Sequence, residues 1–309
     1  MARKRTQLDL TQLATERPNS AARELDTKSA LEIAQIINAE DAKVAAAVKR
    51  ALPQIATAID WAAHTLRNGG RIIYVGAGTS GRIAALDAAE CPPTFNTDPK
   101  MVQFIIAGGA KALAGATEAE EDSRSLGVSG MRRKRPSKKD VVVALAASGR
   151  TTFTVAALEY ARRAGARTIA VTCNCGTPLA KAAELAIVVE TGAEILAGST
   201  RMKAGTAEKM VLNMLSTGAM VRLGYVYGNL MVNLHRKNSK LAERSGGIVQ
   251  RALGVGNRKA ADVLKSAGDS VPVAIVMSKA EVTRSVASRA LTGAAGHVRN
   301  AIGLAKKMQ

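Results

Sequence analysis

The sequence predicts an α/β fold, a doubly wound parallel sheet with a helical N-terminal segment and a small, basic helical C-terminal region. Short apolar runs recur through the middle of the chain, helical stretches fall between several of them, and glycine-bearing turns follow two of them. Strands that alternate with helices are joined by right-handed crossovers, which leave the sheet parallel and covered on both faces.

Residues 1–66 read as largely helical. Asp26 or Thr27 can cap a helix carrying Leu31, Ile33, Ile36 and Ile37 on one stripe, and Val44, Leu52, Ile55 and Ile59 extend the pattern past Pro53. Asn68-Gly69-Gly70 stops it. The apolar runs at 71–75, 102–106, 141–146, 168–172 and 186–189 then read as five strands, with helical stretches at 154–164 and 179–185 between later ones. The polar, basic segment 125–139 reads as a surface connection. After Met202 a long helical pattern carries Met210, Leu212, Met214 and Leu215 and breaks near Tyr227-Gly228-Asn229. Further on, Gly246-Gly247, Gly254 and the glycines at 293 and 296 mark joints between short helices. The expected division is therefore a helical segment at 1–66, an α/β core with its following long helix at 67–228, and a basic helical region at 229–309.

Composition narrows the function. Among 309 residues only 3 are cysteine, a number that cannot all pair within one chain, and a core of this size needs no staples. A reducing cytoplasm is the expected compartment. Arg3, Lys4 and Arg5 near the N-terminus precede no apolar run, and no stretch reaches the roughly 18 to 20 apolar residues that span a bilayer. No membrane role is expected. The net charge of +19 invites nucleic acid as a partner, but much of the excess lies in the run Arg132, Arg133, Lys134, Arg135, Lys138, Lys139 and in residues 236–309. With aromatics at 3% there are few platforms for stacking bases, so a solvated basic surface is the better reading.

Two loops carry chemistry. Gly76-Ala77-Gly78-Thr79-Ser80-Gly81 follows a strand and opens a helix, where backbone N–H groups and the helix dipole favour an anion. A dinucleotide would require an acidic residue at the end of the second strand, and Ile106-Ala107-Gly108-Gly109-Ala110 supplies none. The hydroxyls of Thr79 and Ser80 suit a compact phosphate monoester instead. Ala147-Ser148-Gly149-Arg150-Thr151 repeats the arrangement after the third strand with a guanidinium beside it, and Ser199, Arg201 and Lys203 open the long helix with further donors and charge. Ligands of open α/β sheets bind outside the strands' carboxyl ends, so these loops can converge on one sugar phosphate.

The same residues resemble the N-acetylmuramic acid 6-phosphate etherases. The likeness runs through the 76–82 loop, Glu90-Cys91-Pro92-Pro93-Thr94, the 146–151 loop, Ser199-Thr200-Arg201-Met202-Lys203-Ala204-Gly205-Thr206-Ala207, Asn213–Gly218 and Val226–Val232, in order from about residue 15 to 231. The resemblance implies a sugar isomerase (SIS) fold, a cytoplasmic homodimer, no metal or organic cofactor, and cleavage of the substrate's D-lactyl ether by elimination then hydration. It also implies two catalytic glutamates, which fall here on Glu90 and Glu121. An ether oxygen leaves poorly unless protonated, and a C2 proton is acidic only beside an exposed aldehyde, so an acid and a base are both wanted. Glu90 is expected to protonate the leaving lactate and Glu121 to take the C2 proton. A sugar-phosphate-sensing regulator or a phosphosugar isomerase could share both loops; the paired glutamates favour an enzyme. Cys173-Asn174-Cys175 reads as a loop with two small buried thiols rather than a metal site, and His64, His235 and His297 are isolated.

Overall fold

The structure is a computed structural model that describes residues 13–115, 118–233 and 239–309; His235 lies outside them. Two compact units are present, one taking in the described residues of Met1–Ala88 and Lys100–Leu215, the other Ala89–Pro99 and Ser216–Gln309.

In the first unit, α1 (Ala30–Arg50) starts at Ser29, whose side chain accepts from Glu32 N while the Glu32 carboxylate accepts from Ser29 N at 2.8 Å. This reciprocal box satisfies two otherwise orphaned donors, so the cap is Ser29 rather than Asp26 or Thr27, which stand in a 3₁₀ turn at Leu25–Thr27. The helical pattern continues past Pro53, but as a second helix. It breaks at Ala51, and α2 (Leu52–Arg67) carries Pro53 in its first turn, where a missing N–H costs nothing.

The chain then alternates: β1 (Ile72–Gly76), α3 (Gly78–Phe95), β2 (Val102–Ile106), a short α4 (Glu118–Glu121), α5 (Arg124–Lys134), β3 (Val141–Leu145), α6 (Thr152–Arg163), β4 (Arg167–Thr172), α7 (Pro178–Ala182), β5 (Leu185–Val188) and the long α8 (Lys203–Arg222). The five strands form one parallel sheet in the order β2-β1-β3-β4-β5. Both β1 and β3 are buried along their whole length, as central parallel strands require. Their starts are clamped by Arg71, which donates to both oxygens of Asp140 at 2.9 Å. Burial alone would raise the Asp140 carboxyl, but Arg71 and the Ser137 N–H hold it below its usual range. One face of the sheet, with Ile73, Val75, Val142, Ala144 and Ala170, packs on Phe153, Leu158 and Ala161 of α6 and Met131 of α5.

Two local expectations are corrected. The segment 125–139 is not a bare connection, because Ser123 caps α5 by accepting from Leu126 N, and Gly127, Gly130 and Met131 form its buried stripe. A side chain at Gly127 would lie 2.2 Å from the Phe153 carbonyl oxygen, so glycine lets α5 meet the start of α6. The helix expected over 179–185 ends at Ala182. Glu184 pairs with Thr168 through its own N–H and its carboxylate, each at 3.1 Å, and draws the chain into the sheet as β5.

The second unit holds a small hairpin, β6 (Val226–Tyr227) and β7 (Leu230–Met231), turning on Gly228 at φ +62, followed by α9 (Ser239–Leu253), α10 (Asn257–Ser266), α11 (Val271–Ala280), α12 (Arg284–Gly293) and α13 (Val298–Lys306). Its core is built from Val249, Leu264, Ile275, Val276, Ala287 and Ala301. The Asn233 amide donates to Phe95 O at 2.9 Å and ties the two stretches of this unit together. Among the described residues no helix is long and apolar enough to cross a membrane.

Candidate active site

The strand order reverses at β1: β2 lies on one side and β3 on the other. The connections leaving adjacent strands then depart to opposite faces, and a crevice opens at their carboxyl ends. Both glycine-bearing loops stand at that point in the first unit. A cavity of about 440 Å³ is lined by Gly78, Thr79 and Ser80 after β1 and by Ala147, Ser148 and Thr151 after β3, with Gly198 and Thr200 from the segment before α8. Its charged residues are Glu16, Arg82 and Glu121. A wider cavity of about 710 Å³, between the N-terminal 3₁₀ turns and Ile195-Leu196-Ala197, lacks the α-helix starts and glycine-bearing loops that line the smaller one.

The helices α3 and α6 both begin at the smaller cavity and turn the positive ends of their dipoles on it. Gly78 makes the turn into α3 with φ +52, and a Cβ there would be 2.9 Å from Glu121 Oε1. Gly198, at φ +79, stands in the same relation to Glu16, with Oε2 2.6 Å from its Cβ position. Each glycine therefore supplies a left-handed turn and admits a carboxylate against the backbone. In the second loop Gly149, at φ +66, is backed so closely by Thr177 that a Cβ would lie 2.3 Å from its hydroxyl. The Gly149 carbonyl accepts from Leu179 N at 3.0 Å, which pins the loop to α7. Ser148 Oγ accepts from Arg150 N at 3.2 Å, so its proton remains to be donated into the cavity.

Behind the first loop, Ser80 Oγ and Glu208 Oε1 stand at hydrogen-bond distance, 2.9 Å. Burial pushes the Glu208 carboxyl up to about 8 against the opposing hydrogen bond from Ser80. The arrangement can hold a phosphate monoester with hydroxyls, N–H groups and the Arg82 guanidinium, and it sets the Glu121 carboxylate at the same cavity, against Gly78.

Two profiles match the chain: the glucokinase regulatory protein N-terminal SIS domain over residues 54–162, and the SIS domain over residues 131–218. Among curated proteins it is 46% identical to N-acetylmuramic acid 6-phosphate etherase 2 of Vibrio parahaemolyticus, covering 96% of this chain and 98% of that one. Etherase 1 of Enterococcus faecalis is 47% identical over 94% of this chain and 97% of its own, and the Clostridium beijerinckii etherase is 45% identical over 96% and 97%. The chain belongs to the N-acetylmuramic acid 6-phosphate etherase family.

In this family member the cavity gathers Gly78, Thr79, Ser80, Glu121, Ser148 and Thr151 from the residues expected at the site. Gly149 is buried behind its loop, Arg150 and Ser199 are half-buried beside the lining, and Arg201 is exposed. Glu90 is exposed on α3 about three turns beyond Ser80 and falls in the second unit, whereas the cavity of the first unit is lined without it. Of the two thiols expected to be buried, Cys173 is buried but Cys175 is exposed.

The expectation for Lys203 is corrected. Its side chain is 2% exposed and its ammonium sits 2.7 Å from Glu40 Oε2, inside the unit rather than in the cavity. The adjacent Glu194 carboxylate accepts from Lys203 N and Ala204 N and so caps α8. Three cavity residues, Glu16, Arg82 and Thr200, and the buried Glu208 behind them were not singled out from sequence. Arg82 directly follows the glycine motif, and Glu208 is a lone carboxyl among the buried Ala204, Ala207, Val211 and Leu212, which was its signal. Glu16 had none: Asn174 brings it in by accepting from Ala14 N and donating to Thr15 Oγ1, a contact across 159 residues of chain.

Burial would raise the Glu40 carboxyl, but hydrogen bonds from Lys203, Lys43 and Asn19 hold it down at about 2. A depressed folded value contributes stability above the ordinary carboxylate range and loses it as pH falls toward 2. Glu40→Gln, which leaves Lys203 buried without a counter-charge, is expected to lose about 3–5 kcal/mol at pH 7. Urea unfolding at pH 7 and between pH 5 and 3 checks this, since the gap between variant and wild type should narrow on acidification.

Proposed function

We propose that the protein cleaves the D-lactyl ether of N-acetylmuramic acid 6-phosphate with water, giving N-acetylglucosamine 6-phosphate and D-lactate, in the recycling of cell-wall sugar. The observation that carries this reading is the convergence of two hydroxyl-bearing helix starts on one cavity with Glu121 set against Gly78. The first loop (Gly78, Thr79, Ser80) and the second (Ser148, Gly149, Arg150, Thr151) grip the phosphate, with Ser199 flanking them. Holding the far end of the sugar fixes its reactive carbons relative to the carboxylates, and that positioning lowers the barrier.

With the ring open, Glu121 takes the proton from C2 beside the aldehyde. The C3–O bond breaks as Glu90, the second carboxyl, gives its proton to the departing lactate oxygen. Water then adds at C3 of the resulting alkene and a proton returns to C2, so substrate and water balance the two products. The exposure of Glu90 on α3 leaves its carboxyl accessible to a substrate or a second chain. We further propose a homodimer working in the cytoplasm, in keeping with a sequence of only 3 cysteines, which cannot all pair within one chain.

Purified protein given N-acetylmuramic acid 6-phosphate with a chelator present is expected to release D-lactate, and an enzymatic lactate assay that stays blank rejects the assignment. Glu121→Gln should abolish incorporation of deuterium at C2 from heavy water, with kcat lowered about 10²- to 10⁴-fold; undiminished exchange removes Glu121 from the base role. Sedimentation equilibrium should give twice the chain mass of 32.2 kDa, and a monomer at assay concentration rejects the dimer.

A further inference from the structure

The proposed reaction leaves a buried carboxyl directly behind the phosphate-gripping loop without a task. Glu208 is 1% exposed and lies on α8 one turn beyond Gly205. At Gly205 the two helices are close, with Thr79 Cγ2 and Ile83 Cδ1 of α3 at 3.4 Å and 3.6 Å from the Cβ position, which is ordinary van der Waals contact. The Glu208 carboxyl meets Ser80 Oγ at 2.9 Å, and Ser80 lines the cavity. No cation pairs with Glu208 among the described residues. Of the groups around it, Cys173 beyond β4 is a thiol raised by burial and by Glu208, and Glu194 is spent capping α8. The Lys203 ammonium is held by Glu40, and Lys209 is exposed.

A hydroxyl has one proton to donate and two lone pairs with which to accept. Were Glu208 charged, the Ser80 proton would be committed to it and a negative charge would stand behind the loop that receives a phosphate dianion. A neutral Glu208 donates its own proton to Ser80 Oγ, and the Ser80 proton then points into the cavity. We propose that Glu208 is a positioning residue that, in its protonated form, turns the Ser80 hydroxyl outward to donate to the substrate phosphate, so that losing this proton loosens the grip. Because burial lifts its carboxyl to about 8, Glu208 keeps the proton at neutral pH and gives it up on the alkaline side. The inference rests on the reading of this cavity as a phosphate site.

Calorimetric titration with N-acetylglucosamine 6-phosphate between pH 7 and 9.5 tests it, a range in which the ligand stays a dianion. Wild-type affinity should fall at least about tenfold from pH 7.5 to 9.5, and binding near pH 8, compared in two buffers of different ionisation heat, should take up a proton. Glu208→Gln, whose amide donates to Ser80 at every pH, should bind at pH 7 within a few-fold of wild type and show neither the alkaline fall nor the uptake. Parallel pH profiles for the two proteins, or no proton uptake by the wild type, overturn the inference while leaving the phosphate site standing. The uptake measurement needs no variant and decides the matter even if Glu208→Gln misfolds. Failure of the wild type to bind the sugar phosphate at any pH overturns the phosphate reading and this inference together.

Discussion

The pairing of β1 with β3 is the constraint on which the cavity depends. Adjacent parallel strands end at the same level, so the helices that follow them, α3 and α6, begin side by side and present two sets of unpaired N–H groups to one point. Without that adjacency each loop would be a separate, weak anion site. The Arg71–Asp140 clamp holds the far ends of the same two strands in register, and the side chains between them are buried without exception. A slip of one residue would invert both faces of the strands and move the loops apart.

Around that point the chain spends glycine where a carboxylate must come close. Gly78 and Gly198 adopt left-handed turns and leave the space that Glu121 and Glu16 occupy. An acid beside two helix starts is unfavourable unless chemistry uses it, and this juxtaposition is why the proposed reaction gives Glu121 the role of base. The surrounding acids are handled differently. Glu40 is paired with Lys203, Glu194 with the first N–H groups of α8, and Glu208 with a single serine hydroxyl; partners hold the Glu40 carboxyl down, whereas burial raises those of Glu194 and Glu208.

Much of the sheet was readable in advance because a buried parallel strand is a continuous apolar run, and all five runs became strands within a residue or so of their expected limits. The glycine loops were legible for a related reason: turn, hydroxyls and helix start are local in the chain. Legibility failed where burial used small residues. In α5 the buried stripe of Gly127, Gly130 and Met131 is masked by the arginines and lysine that follow it, and in β5 the deciding contact is with Thr168, sixteen residues earlier. Lys203 looked like a ligand because its position beside a polar loop says nothing of the direction in which its side chain leaves α8.

By itself, then, the sequence determined which segments become strands, where the two glycine-bearing turns lie, and which family the chain resembles, because each of these is written in contiguous residues. The tertiary structure alone decided which charged groups face the cavity and which are sealed behind it. Glu16 enters and Lys203 withdraws through contacts spanning more than a hundred residues, and the upward shift of the Glu208 carboxyl comes from desolvation, a property of the packed interior that no local pattern records.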